Sequence, residues 1–178
     1  MAICKHHCNS KRVNPDLYTS LSFTKANHMF PFLCKLFSME EKYQQLGEIF
    51  FNKPFEYLIK ELDKLQRINT IQYAILVLCL VNSSKLSVES LPPKYMQKDV
   101  FNNCRINLGT PVSQIKDAIY HMSETYFTKL DTEYTFTHDF IFEATAYHYG
   151  RQNQHQILKY SSSSYIANKV TVYEQAFK

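Results

Sequence analysis

Between Pro54 and Ile68 apolar residues recur every three or four positions, at Phe55, Leu58, Ile59, Leu62 and Leu65, and the charges fall opposite them. That period predicts an amphipathic helix with Pro54 at its first position. The next segment, Ile71 to Val81, is apolar almost all round and predicts a buried central helix capped by Asn69 or Thr70. Upstream, Phe30 to Phe37 is a dense apolar stretch that reads as a short helix opened by Pro31. Ser38-Met39-Glu40-Glu41 has the form of a capping box, the serine hydroxyl accepting from the third amide, and predicts a helix to about Phe51. Residues 38–68 therefore read as a helical hairpin.

Farther along, Asn82–Lys85 reads as a loop, followed by a short helical turn near Ser87–Leu91. Pro92-Pro93 punctuates, and a helix is expected from about Lys94 to Asn103. Gly109-Thr110-Pro111 is a start signal, with Thr110 as N-cap and Pro111 at the first helical position. The helix it opens should run to about Glu124 and bury Val112, Ile115, Ile119 and Met122. Tyr126–Leu130 and Tyr134–Thr137 alternate as two strands around Asp131-Thr132-Glu133. At His138-Asp139 the alternation stops and a helical period begins, reaching Tyr149, with Gly150 as the residue beyond its end. Asp139 falls in the first turn, where a carboxylate suits the positive end of the helix dipole.

This order is that of a winged helix. Ile71–Val81, Lys94–Asn103 and Pro111–Glu124 supply its three helices and the hairpin its wing. The fold class expected is mainly α: a helical hairpin, then a winged-helix domain over residues 69–150 with a short two-stranded wing. A polar tail over 151–178 carries a weak helical signal around Tyr165–Val172.

Composition narrows the chemistry. The chain has 178 residues, 45% hydrophobic and 20% charged, a globular balance long enough for one domain or two small helical ones. It has three glycines, Gly47, Gly109 and Gly150, where roughly 7% is usual, and phosphate-cradling loops need glycine. Thirteen Phe and thirteen Tyr favour bulky helix–helix contacts. The net charge of +4 permits contact with acidic surfaces without demanding it. Five cysteines, an odd number, and a start without a signal peptide suggest a reduced, cytoplasmic setting. The longest apolar run, Tyr73–Val81, is too short to cross a bilayer, which takes about 20 residues.

The exposed positions of the third winged-helix helix would be Ser113, Gln114, Lys116, Asp117, Tyr120, His121 and Glu124. One lysine against two acids neutralises few phosphates, and no arginine is present there to read guanine. The wing, Lys129 to Glu133, is acidic on balance. An autonomous nucleic-acid binder is therefore the alternative, and an interaction role the preferred reading. Cys4-Lys5-His6-His7-Cys8 brings soft donors together, but a structural zinc site needs a second pair and Cys34 is the one candidate nearby. Glu143, His148 and His155 lack metal-ligand spacing and read as surface residues. No metal ligand is expected on these spacings, and no catalytic residue, because no serine or cysteine stands in a nucleophile elbow to serve His138-Asp139.

Three segments together resemble one family, the novel STAND NTPases, signal-transducing relatives of the AAA+ and NB-ARC ATPases. Phe30-Pro31-Phe32-Leu33-Cys34-Lys35-Leu36-Phe37-Ser38 is similar to the Gly-Phe-Pro-Leu segment that ends the family's nucleotide-binding core. Phe50-Phe51-Asn52-Lys53-Pro54-Phe55 leads through Glu61-Leu62-Asp63-Lys64-Leu65 into Tyr73–Val81. Phe136-Thr137-His138-Asp139-Phe140-Ile141-Phe142-Glu143 is followed by aromatics and Ser162-Ser163-Ser164-Tyr165-Ile166. The resemblance spans about Phe30 to Ile166, and it makes residues 1–37 a remnant of the end of a nucleotide-binding domain.

The resemblance implies that Pro31 would line the adenine side of a nucleotide pocket and that His138 would approach ADP phosphates in a closed state. This chain departs from the pattern at His28-Met29, where a glycine is expected. It also lacks a Gly-x-x-x-x-Gly-Lys-Ser/Thr loop and a strand ending in paired magnesium-binding acids. ADP or ATP with Mg belongs to an intact family member, and no cofactor is expected for this chain alone, since nucleotide affinity comes mostly from backbone amides and magnesium. The function implied is a non-catalytic regulatory module whose partner is a protein, either a fragment of a longer product or a stand-alone remnant.

Overall fold

The computed structural model describes residues 30–39, 41–123 and 125–160. The Cys4–Cys8 cluster, Glu124 and the helical signal at Tyr165–Val172 lie outside them. Among the described residues no helix is long and apolar enough to cross a membrane. The chain separates into two compact units, with the boundary between Leu58 and Ile59.

The first unit holds α1 (Phe30–Met39), α2 (Glu41–Gln44), α3 (Glu48–Asn52) and the opening of α4 (Pro54–Ile68). Leu33, Cys34, Leu36, Phe37, Tyr43 and Phe50 are buried. Ring centroids of Phe37 and Phe51 lie 5.0 Å apart and those of Tyr43 and Phe50 4.6 Å apart, within the range of tilted aromatic packing. Two expectations fail here. Ser38 caps no new helix: it is buried inside α1, and its hydroxyl donates to the carbonyl of Lys35 at 2.8 Å, which satisfies it without ending the helix. The single helix expected to Phe51 is two short ones, broken at Gly47, whose φ of 56° is the left-handed conformation glycine adopts without strain.

In the second unit α4 continues, burying Leu62 and Leu65. Then come α5 (Thr70–Val81), β1 (Leu86–Ser87), α6 (Lys94–Asn103), α7 (Val112–Met122), β2 (Phe127–Leu130), β3 (Glu133–Phe136), α8 (Asp139–Gly150) and α9 (Gln154–Tyr160). Every residue of α5 from Tyr73 to Val81 is buried, and α5 packs against α6, α7 and α8. An all-round apolar helix needs neighbours on every side, and here it has them.

The strands form one antiparallel sheet in the order β1-β3-β2. Phe127 pairs with Phe136, Thr128 with Thr135, Lys129 with Tyr134 and Leu130 with Glu133. Asp131 turns the hairpin at φ 53°, a conformation that a short polar side chain tolerates. No helical turn forms near Ser87–Leu91: residues 88–90 form a bend, and Leu86–Ser87 is the strand β1, with Leu86 opposite Tyr134 and Ser87 opposite Glu133. Burial of Leu86 and an ion pair of 3.0 Å between Lys85 and Glu133 hold it there. Two residues carry no period, so the strand exists because β3 offers an edge to pair with.

Helix ends also differ in detail. Thr110 does not cap α7: its hydroxyl donates to the carbonyl of Asn107 at 2.7 Å, and Pro111 takes the N-cap position. Val112, expected to be buried, is 51% exposed, whereas Ile115, Ile119 and Met122 are in the core. Gly150 is the last residue of α8 and not the residue beyond it. Asn69 stands at the N-cap of α5 without a side-chain cap bond. The last described helix, α9, is tied to α6 where Lys159 and Tyr160 donate to Asp99 Oδ2 at 2.8 and 2.6 Å. Those two bonds hold the Asp99 carboxyl below its ordinary range.

Candidate functional site

Two histidines of α8 define the chemistry of the second unit. The first is His138, in extended conformation at the N-cap of α8, where its Nδ1 accepts from the amide of Phe140 at 3.1 Å. The first amides of a helix have no partner within it, and this ring satisfies one of them. Accepting at Nδ1 places the hydrogen of the singly protonated ring on Nε2. Asp139 follows in the first turn, as its sequence position requires.

A phosphate at a helix start is bound by amides of the first turn, and here His138 accepts from one of them, that of Phe140. Pro31 lies in α1, in the first unit, and His138 in the second. Glu143 is half-buried on α8 and His155 exposed on α9. Among the described residues no group of three His, Cys, Asp or Glu side chains is placed to hold a metal ion.

The second histidine is His148, and it overturns the surface assignment: it is 5% exposed. Its Nε2 lies 3.0 Å from Asp63 Oδ1 on α4, and its Nδ1 lies 2.7 Å from the Tyr73 hydroxyl on α5. An ionised carboxylate can only accept, so Nε2 carries the hydrogen toward Asp63, and Nδ1 of the singly protonated ring accepts from Tyr73. Tyr73 and the imidazole also meet edge to face, with centroids 5.3 Å apart. Burial, reinforced by Cys104, Tyr149 and Asp63, pushes the Tyr73 hydroxyl far above its ordinary range. Beside it, burial pushes the Cys104 thiol and the Tyr149 hydroxyl each up to about 12, although Asn103 donates to the Tyr149 oxygen at 2.9 Å and pulls the other way.

An aligned carboxylate, imidazole and hydroxyl is an arrangement that can activate a nucleophile. Here the hydroxyl end is sealed, with Tyr73 1% exposed, while the carboxylate end, Asp63, has a side chain 48% exposed. The reactive end of such a chain must meet a substrate, and this one faces the core. The relay therefore works as a polar tie of α4, α5 and α8. Its signal in the sequence was phase: His148 follows Ile141, Ala144 and Thr145 at helical spacing, and all three are buried. Asp63 carries no such mark, because it sits among the charges of α4.

No protein-family model matches the chain, and no match is found among the curated proteins or the solved structures.

Proposed function

We propose that the second unit is a winged-helix module and that the chain serves as a non-catalytic regulatory, protein-interaction element, like the winged-helix half of a STAND signalling NTPase. The observation that carries this reading is the topology of α5 to β3. A helix, a short strand, two helices and a hairpin close into a three-stranded sheet ordered β1-β3-β2. This order supports the winged-helix reading, which calls for a strand at the place of β1, a strand that the residue pattern does not announce. The helix that follows begins at His138-Asp139, where the resemblance puts the family's regulatory pair.

The choice of partner rests on the outer face of α7. Ser113, Gln114, Lys116, Asp117, Tyr120 and His121 are all exposed, and Tyr120 is 75% so. A phosphate backbone would meet one lysine and one acid there, which favours a protein partner over a duplex. Binding to a protein would use Tyr120 and Val112, the exposed apolar side chains of the helix.

The test is a thermal melt of the purified chain with and without Mg and ADP, paired with ATP turnover and titration of duplex DNA at low salt. This reading expects an unshifted, cooperative melt, no turnover and no salt-sensitive binding. ATP turnover lost on His138→Ala would overturn it. Duplex binding lost on Lys116→Ala and Lys129→Ala would establish the nucleic-acid alternative instead.

A further inference from the structure

The helix α9 is held at its two ends and by little between them. At its start the amide of Asn153 donates to the carbonyl of Tyr149 on α8, and the amide of Gln156 to the carbonyl of Asn153, each at 3.0 Å. At its finish Asp99 of α6 accepts from Lys159 and Tyr160, the last two residues of the helix. The Tyr160 ring also stacks on that of Tyr95, with centroids 6.4 Å and planes 28° apart. Between these ends one side chain is buried, and it is polar: Gln156. Its Nε2 lies 3.2 Å from His155 Nε2, and its Oε1 has no protein partner among the described residues. Ile157 is half-buried and Leu158 is 56% exposed. By contrast, α8 buries Phe140, Ile141 and Tyr149 among others.

We propose that α9 is a strap over the face of α6 that carries Tyr95 and Asp99, released as one piece from its Asp99 end while the rest of the second unit stays folded. A helix of seven residues does not persist in water by itself, so α9 exists only while its ends are held. Its apolar burial is small, and an unmet buried acceptor counts against the closed state. The attachment therefore rests on the bonds to one carboxylate.

The position of those bonds sets how the helix opens. A free helix end frays inward from its last residue, but here the last two residues are the ones tied, so losing Asp99 frees the whole of α9 at once. The tie also stands in water: the Lys159 side chain is 54% exposed and that of Asp99 29%. Such an ion pair is screened by salt and open to competition from other cations. Release leaves Asp99 without its two donors and Tyr95 without its stacking partner. The strap stands independently of the winged-helix reading.

Amide hydrogen exchange of the full chain, followed by NMR at one fixed pH, tests the proposal. The strap predicts that amides of residues 157–160 exchange at closely similar protection, at least about 10-fold below that of residues 144–149 in α8. Asp99→Ala should accelerate exchange in residues 157–160 by a further factor of about 5 and leave residues 144–149 unchanged. Raising NaCl from roughly 50 to 500 mM should accelerate residues 157–160 about 2-fold in the unaltered chain and not in Asp99→Ala. Gln156→Met, which removes the unmet acceptor at similar volume, should slow exchange in the strap. If Asp99→Ala does not fold, Lys159→Met and Tyr160→Phe carry the comparison, each accelerating residues 157–160 alone. One common protection for α8 and α9 would overturn the strap, as would a gradient falling from residue 157 to Tyr160. Equal acceleration of both helices by Asp99→Ala would overturn it too.

Discussion

His148 Nε2 lies 3.0 Å from Asp63 Oδ1 although 85 residues of chain separate the two. The contact joins a sealed imidazole, whose side chain is 4% exposed, to a carboxylate that is half in water. Its energetic weight therefore falls on the histidine side. An exposed carboxylate can exchange the contact for solvent, but a buried ring has no second choice.

Truncation should expose that asymmetry. His148→Ala removes both bonds, strands the Tyr73 hydroxyl and leaves a void, and should cost about 3 kcal/mol of unfolding free energy in urea titration. Asp63→Ala should cost about 1 kcal/mol, because water can replace the carboxylate at its exposed end. The double variant should lose less than the two separate losses added together, since each truncation already breaks the shared bond. Strict additivity would mean that the contact contributes no coupling.

Alkaline stability should be limited by buried tyrosine. Tyr149 is raised from 10.0 to about 12 in the folded chain, chiefly by burial. The folded state holds that proton more tightly than the unfolded chain, so its contribution is fully present below about pH 10 and is lost as pH rises through about 12. Tyrosinate absorbance and far-ultraviolet circular dichroism should show the last tyrosines ionising together with unfolding. Tyr149→Phe should flatten the loss of stability between pH 10 and 12.

Two glycines should respond oppositely to alanine. Gly47 has a φ of 56°, which alanine adopts only with strain, and Gly47→Ala should cost about 1 kcal/mol. Gly150 is helical, and a Cβ there would meet Ile157 Cγ1 at 3.6 Å, an ordinary contact. Gly150→Ala should raise stability by about 0.5–1 kcal/mol through helix propensity. Chemical denaturation of both variants checks the pair, and a loss at Gly150 would mean that the helix end is held differently.

How much of this was legible in the residues depended on the length of the signal. Pro54–Ile68 and Lys94–Asn103 occur with the bounds the residue pattern predicts, because a run of three-and-four spacing or a proline start repeats its message over several turns. The strands around Asp131 and Thr132 were legible for the same reason, from alternation and a turn. Ser38 was misread because a hydroxyl before a glutamate has the same spelling whether it opens a helix or bonds back within one. The choice was made by the apolar residues Leu33 to Phe37, which keep α1 going through it.

The site divides in the same way. His138 was legible as a junction residue, since the change of period that marks a cap is local, and its Nδ1 does cap α8. His148 was not, because a histidine's surroundings depend on what the other helices bring to it. By itself the sequence determined α4 to α8, the hairpin, the apolar identity of α5 and the start of α8, all of which follow from interactions between residues a few positions apart. The tertiary structure alone decided that Leu86 and Ser87 become a strand and that Asp63, His148 and Tyr73 share one chain of hydrogen bonds. A two-residue strand and a buried polar tie have no period of their own. They exist only where packing brings distant groups within bonding distance and removes the water that would otherwise satisfy them.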